Sequence, residues 1–150
     1  MKKYYEPDLF FGRIKETMEN KSNDLKNATS YEVACAAVKA LIKMKGSSIK
    51  LFCVKDTSSV TDYYITVTGR SKTQVSSLAE EVVYRLGEAG REAARVEGKR
   101  GDTWILVDYI DVIVQVFDRE ARSFYDFDRL LAEADLVDIS HLEEEIDNEN

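Results

Sequence analysis

The sequence predicts an α/β (α+β) fold: a mixed sheet of about five strands with helices packed largely against one face. Three observations carry that expectation. Two stretches with helical apolar spacing, each opened by a capping signal, alternate with β-branched runs. A strand followed by a crossover helix favours parallel pairing at that point. The stretch from Thr103 to Phe117 reads instead as two strands meeting near Ile110-Asp111, an antiparallel hairpin. At 150 residues the chain has the size of one domain with room for tails, and it contains no internal repeat.

Taken in order, residues 1–28 are polar and of mixed charge, with one apolar patch at Leu9-Phe10-Phe11 that could open a short helix toward Met18. They are expected to be an appendage. The domain is expected to span 29–135. Thr29 and Glu32 form a capping box, and Val33, Ala36, Ala37, Ala40, Leu41 and Met44 follow at helical spacing up to Gly46. Ile49 to Val54 and Tyr63 to Val67 read as strands, the second with Tyr63, Ile65 and Val67 on one side and Asp62, Tyr64, Thr66 and Thr68 on the other. Ser71 and Gln74 form a second capping box before Val75, Leu78, Ala79, Val82, Val83 and Leu86, and Gly87 or Gly90 ends that helix. A short strand over 94–97 leads to the hairpin, and a last helix is expected over 119–134. Residues 136–150 are acidic enough to be read as a disordered tail.

A two-residue turn in the hairpin sets Asp108 opposite Ile113, Leu106 opposite Gln115 and Trp104 opposite Phe117. One face is then Ile105, Val107, Tyr109, Val112, Val114 and Val116, almost wholly apolar, and belongs under helices. The other mixes Trp104, Leu106, Asp108, Ile113, Gln115 and Phe117, a makeup suited to contact. A slip of one residue would exchange the two faces.

The net charge of -7 is concentrated at the C-terminus, where Glu133 to Asn150 hold eight acids and no Lys or Arg. The remainder has 21 basic against 20 acidic residues, without the basic excess that phosphate-backbone binding demands, so direct sequence-specific nucleic-acid binding is not expected. No apolar run approaches a membrane span and the N-terminus lacks a signal-peptide core, so no membrane role and a cytoplasmic location are expected. Cys35 and Cys53 read as buried thiols rather than a disulfide or metal site. The sole histidine, His141, lies in the acidic stretch, which leaves hydrolytic and metal chemistry with almost nothing to use. No cofactor is expected.

The run Val60 to Ser71 with Gln74, then Arg95 to Gly98, Trp104 to Asp111, Val116-Phe117 and Arg122 to Asp126, in that order and spacing, resembles the Iojap family of ribosomal silencing factors. The resemblance covers 30–134. It implies a fold related to the nucleotidyltransferases without their activity. It also implies a partner on the large ribosomal subunit, the uL14-type protein, where family members block joining of the small subunit; organelle relatives are linked to large-subunit assembly. The candidate partner-binding residues are Trp104, Leu106, Asp108, Tyr109, Asp111, Gln115, Phe117, Asp62 and Tyr64. Three positions depart from the family pattern: Ile110 for Gly, Gln115 for His and Leu131 for Trp. Because a β-branched residue suits φ > 0 poorly, Ile110 implies a wider or differently typed turn.

An enzymatic alternative needs a Gly-Ser turn at a helix start for triphosphate and paired strand carboxylates for Mg²⁺. Gly69-Arg70-Ser71 only faintly matches the first, and Ser71 is adequately explained as an N-cap. Asp108 and Asp111 are three apart around a turn and should not share a face, and Asp62 stands alone. Trp104 can be read as a core aromatic or as an interface anchor. Asp108 and Gln115 on its own face favour the anchor, since both are costly in a dry core. Arg122 with Tyr125 is read first as closing the last helix over the sheet, and the exposed aromatic face admits a homodimer as well.

Overall fold

Thr29 caps the first helix from outside. Its Oγ1 accepts from the Glu32 N–H at 3.2 Å, while Glu32 Oε1 accepts from the Thr29 N–H at 3.1 Å. The structure, a computed structural model, describes residues 3–4, 24–98 and 103–149. Its elements are β1 (Lys3–Tyr4), α1 (Ser30–Lys43), β2 (Ser47–Cys53), β3 (Tyr63–Gly69), α2 (Lys72–Glu88), β4 (Arg95–Gly98) and β5 (Trp104–Asp108). They continue with β6 (Val112–Asp118), α3 (Arg119–Tyr125), α4 (Phe127–Leu130), β7 (Asp135–Val137) and α5 (Ser140–Glu149).

The strands form one mixed sheet in the order β1-β4-β5-β6-β3-β2-β7. The five expected strands are its centre, and a short strand is added at each edge. The parallel pair is β3 with β6, from Tyr63↔Val112 to Gly69↔Asp118. The crossover through α2 therefore ends, after the hairpin has been laid down, on the hairpin's second strand rather than on β4. Alternation sorts the faces as expected: Ile65, Val67, Ile105, Val107, Val112, Val114 and Val116 are fully buried. They pack under α1 and α2, whose Val33, Val38, Leu41, Val75, Leu78 and Val82 close the same core.

The second capping box is only half formed. Ser71 Oγ accepts from the Gln74 N–H at 3.1 Å, but Gln74 Oε1 reaches past the cap to the Arg70 N–H at 2.7 Å. Gln74 Nε2 donates to the Met44 and Lys45 carbonyls, both at 3.3 Å, and so ties the end of α1 to the start of α2. α2 runs to Glu88, with Gly90 beyond it at φ 95°.

Three expectations need correcting. Residues 1–28 are not wholly an appendage: Lys3 and Tyr4 pair with Gly98 and Glu97, and the Leu25 N–H donates to the Ala89 carbonyl at 2.9 Å. The short helix expected after Leu9 lies outside the described residues. The acidic stretch 136–150 is ordered through Glu149. Its strand β7 pairs with β2, and α5 buries Leu142 and Ile146, with Lys39 paired to Glu145 and Lys43 to Glu149 at 3.0 Å. Two of the acids that suggested disorder, Glu145 and Glu149, are the partners of lysines on α1. Finally, the last helix breaks at Asp126, whose φ of 49° separates α3 from α4. Cys35 and Cys53 are both free and only half-buried.

Candidate functional site

The hairpin register is the expected one: Trp104↔Phe117, Leu106↔Gln115 and Asp108↔Ile113. Parallel pairing extends each row into β3, so Tyr64 lies beside Ile113, Thr66 beside Gln115 and Thr68 beside Phe117. Trp104, Leu106 and Asp108 thus line one side of β5 over roughly 13 Å, each half-buried.

The turn keeps its two-residue length, and Ile110 adopts φ 74° at its tip. Of the two expectations for Ile110, a wider turn fails and a differently typed one holds, since the i→i+2 bond closes a γ-turn. The Asp111 N–H donates to the Tyr109 carbonyl at 2.9 Å, and Asp108 Oδ1 accepts from the Ile110 N–H at 2.7 Å. Two short bonds therefore hold a β-branched residue in a conformation it disfavours.

Three candidate contact residues are placed where they offer no surface. Phe117 is fully buried, Gln115 is 2% exposed, and Tyr109 is 2% exposed on the opposite face under α2. Burial pushes the Tyr109 phenol far above its ordinary range, with Arg91 acting weakly the other way. Phe117 and Gln115 are covered because α3 and α4 fold back over this face, which the alternation of β5 and β6 cannot reveal. Asp62 and Tyr64 stay half-buried. The Asp62 N–H is joined to the Asp111 carbonyl at 3.0 Å, and the Tyr64 phenol is raised by burial and then by Asp108.

Arg122 holds that cover down. Its Nη1 donates to the Ser48 carbonyl at 2.7 Å and to Thr68 Oγ1 at 2.8 Å. Its Nη2 donates to Thr66 Oγ1 at 2.9 Å and to Asp128 Oδ2 at 2.8 Å. The closing role expected of this arginine is the one it plays. The cover brings rings to Trp104, whose centroid lies 4.6 Å from Tyr125, 5.0 Å from Phe117 and 6.5 Å from Phe127. Trp104 Nε1 donates to Gln115 Oε1 at 2.7 Å, which satisfies a buried amide. Trp104 is therefore part core and part surface.

Two residues of this surface were not among the sequence candidates. Phe124 is 81% exposed and stacks edge-on against Tyr125, itself 41% exposed, at 5.0 Å. An aromatic strip thus runs from Trp104 through Tyr125 to Phe124. Leu130, 77% exposed, stands on the adjoining α4. The signal was present in Ser123-Phe124-Tyr125-Asp126, but a continuous helix through Asp126 gave those rings no reason to face outward.

The carboxylates beside the strip are compensated. Arg95 bridges Asp108 Oδ2 at 3.3 Å and Glu97 Oε1 at 3.2 Å, and Arg91 pairs with Asp111 at 2.8 Å. Asp108 and Asp111 thus have separate arginines. No group of three or more His, Cys, Asp or Glu is placed to hold a metal among the described residues. At the other candidate site, a Cβ on Gly69 would fall 2.8 Å from Val75 Cγ2 and 2.9 Å from Val75 N. That glycine serves close strand–helix approach, and the amides of Arg70 and Gln74 are already taken by side chains of their own helix start.

Fold and site together describe a surface-presenting module built on a mixed sheet. The family model described as ribosomal silencing factor during starvation matches residues 27–150. The chain belongs to that family. It is 39% identical over 89 residues to ribosomal silencing factor RsfS of Haemophilus influenzae, covering 59% of this chain and 87% of that one. To the RsfS of Halalkalibacterium halodurans it is 30% identical over 111 residues, covering 74% and 95%. The chloroplastic protein Iojap of Zea mays is 24% identical over 113 residues, covering 75% of this chain and 49% of the maize protein. A crystal structure from Chromobacterium violaceum matches with TM-score 0.67 and 34% identity, covering 69% of this chain and 86% of that one. One from Bacillus halodurans matches with TM-score 0.64 and 30% identity, covering 72% and 98%.

Proposed function

We propose that the protein silences translation by docking on the large ribosomal subunit, at its uL14-type protein, so that the small subunit cannot join. The observation that carries this reading is the aromatic strip Trp104–Tyr125–Phe124 on a member of the silencing-factor family. Exposed rings anchored at one end in a core are the usual makeup of an interface hot spot, because they bury much area for little lost side-chain freedom. Leu106 continues the apolar band, and the Arg95-bridged pair of Asp108 and Glu97 forms a polar border. A border of paired charges orients a charged partner and acts on the encounter rate more than on the affinity.

Sedimentation of the protein with purified ribosomal subunits tests the reading. Co-migration with the large subunit alone, and loss of subunit joining when the protein is added in excess, are expected. Absence from the large-subunit peak under conditions that retain other factors would overturn it. Co-migration that leaves joining unaffected would favour a role in large-subunit assembly.

A further inference from the structure

One side chain outside the strip holds down the short helix that carries Phe124 and Tyr125: we propose that Arg122 is the positioning residue of the docking surface, an inference that rests on the docking reading above. Three features converge on its guanidinium. The first is a β-bulge. The pairing of β2 with β3 shifts register between Ser47 and Lys50, and Ser48 takes φ 50° within the shift. A bulge removes a residue from the ladder, and the Ser48 carbonyl is taken up by Arg122. The second is the pair of β3 hydroxyls, Thr66 and Thr68, which lie beside Gln115 and Phe117 on the face that α3 and α4 cover. The third is Asp128 on α4, beyond the left-handed Asp126, whose N–H donates to the Arg122 carbonyl at 3.0 Å.

Arg122 therefore joins β2, β3, α3 and α4 through one planar group with its side chain only 13% exposed. The fork geometry matters: two nitrogens each serve two acceptors, which a lysine ammonium cannot reproduce at the same angles. Phe124 and Tyr125 follow Arg122 by two and three residues on the same short helix. The angle at which α3 lies on the sheet fixes how Tyr125 meets Trp104. A seven-residue helix has too little internal stability to keep that angle by itself. Asp128 also depends on the arginine, since its other cation, Lys50, stands at 3.7 Å and is half-exposed.

The experiment uses Trp104, the sole tryptophan of the chain, as its reporter. Arg122→Met, Arg122→Lys and Asp128→Asn are compared with wild type in the full chain by tryptophan emission, residue-resolved amide exchange and large-subunit binding. Arg122→Met is expected to red-shift emission, to lose exchange protection over 119–131 while β3, β5 and β6 keep theirs, and to weaken binding about tenfold, less than the ~30-fold of a lost hot spot because the rings themselves remain. Arg122→Lys should recover only part of each change, and Asp128→Asn should shift all three in the same direction by less. Unchanged emission and exchange in Arg122→Met would overturn the proposal, as would weakened binding without loosening of 119–131. Should Arg122→Met fail to fold, the other two variants decide: protection lost evenly over the whole sheet would overturn it. Failure of wild type to bind the large subunit would sink the docking reading instead, while emission and exchange would still test the positioning.

Discussion

Ile110 is the sharpest conflict between a residue and its backbone. Its side chain is 66% exposed and its φ is 74°, so it carries strain with little packing in return. Ile110→Gly should raise stability by about 1 kcal/mol, the low end of what such a conformation stores once the extra freedom of an unfolded glycine is deducted. Thermal unfolding checks it, and an unchanged or lower midpoint would contradict it. Trp104 presents a different balance. Trp104→Ala removes a ring packed against Phe117 and Tyr125 and strands the buried Gln115 amide. About 2–4 kcal/mol of stability should go with it, from lost packing plus an unsatisfied acceptor. Trp104→Phe, which keeps a ring, should cost less than half as much; equal losses for the two variants would show that the hydrogen bond dominates. The sequence put Trp104 on the correct face but offered core and contact as alternatives, and the residue turns out to join them.

At the scale of elements, α5 depends on two buried side chains and a row of ion pairs. Leu142→Ala, at a site 3% exposed, should cost about 2–3 kcal/mol in chemical denaturation. Acid should release the helix as well. The hydrogen bond from Lys39 and its charge hold the Glu145 carboxyl below its ordinary value, and the Ser140 backbone and hydroxyl do the same for Asp138. A carboxylate depressed in the folded state stabilises it above the unfolded pKa, and that contribution is lost as pH falls through the lowered value. Protection factors in α5, taken against the intrinsic exchange rate at each pH, should therefore drop below the ordinary Glu range while those in α2 hold; a uniform drop would contradict it. The sequence does space Ile139, Leu142 and Ile146 as one helical face, but the expectation for this stretch rested on its charge density alone. Nothing local shows that Lys39 and Lys43 wait on another helix. The same limit hid the fold-back of α3 and α4. Strand alternation reports which residues share a face, whereas the cover on that face depends on Arg122 reaching residues 54 and 74 positions away.

For the molecule as a whole, short terminal strands cap both sheet edges: β1 lies on β4 and β7 on β2. Unpaired edges invite association. Deleting 135–150 should expose β2 and give concentration-dependent self-association in sedimentation velocity, where a monomeric truncated chain would contradict the capping role. The central five strands could be anticipated because capping signals, β-branched runs and the hairpin register are local. The edge strands could not, since two or three residues carry too little pattern to distinguish them from loops. Docking itself is tested most directly at Phe124, which is 81% exposed and lies at the outer end of the strip. Phe124→Ala should leave the melting midpoint within the range of an ordinary surface change, about 0.5 kcal/mol, and weaken large-subunit binding about tenfold or more, as loss of an aromatic anchor does. Wild-type affinity in a folded Phe124→Ala variant would contradict docking through this surface.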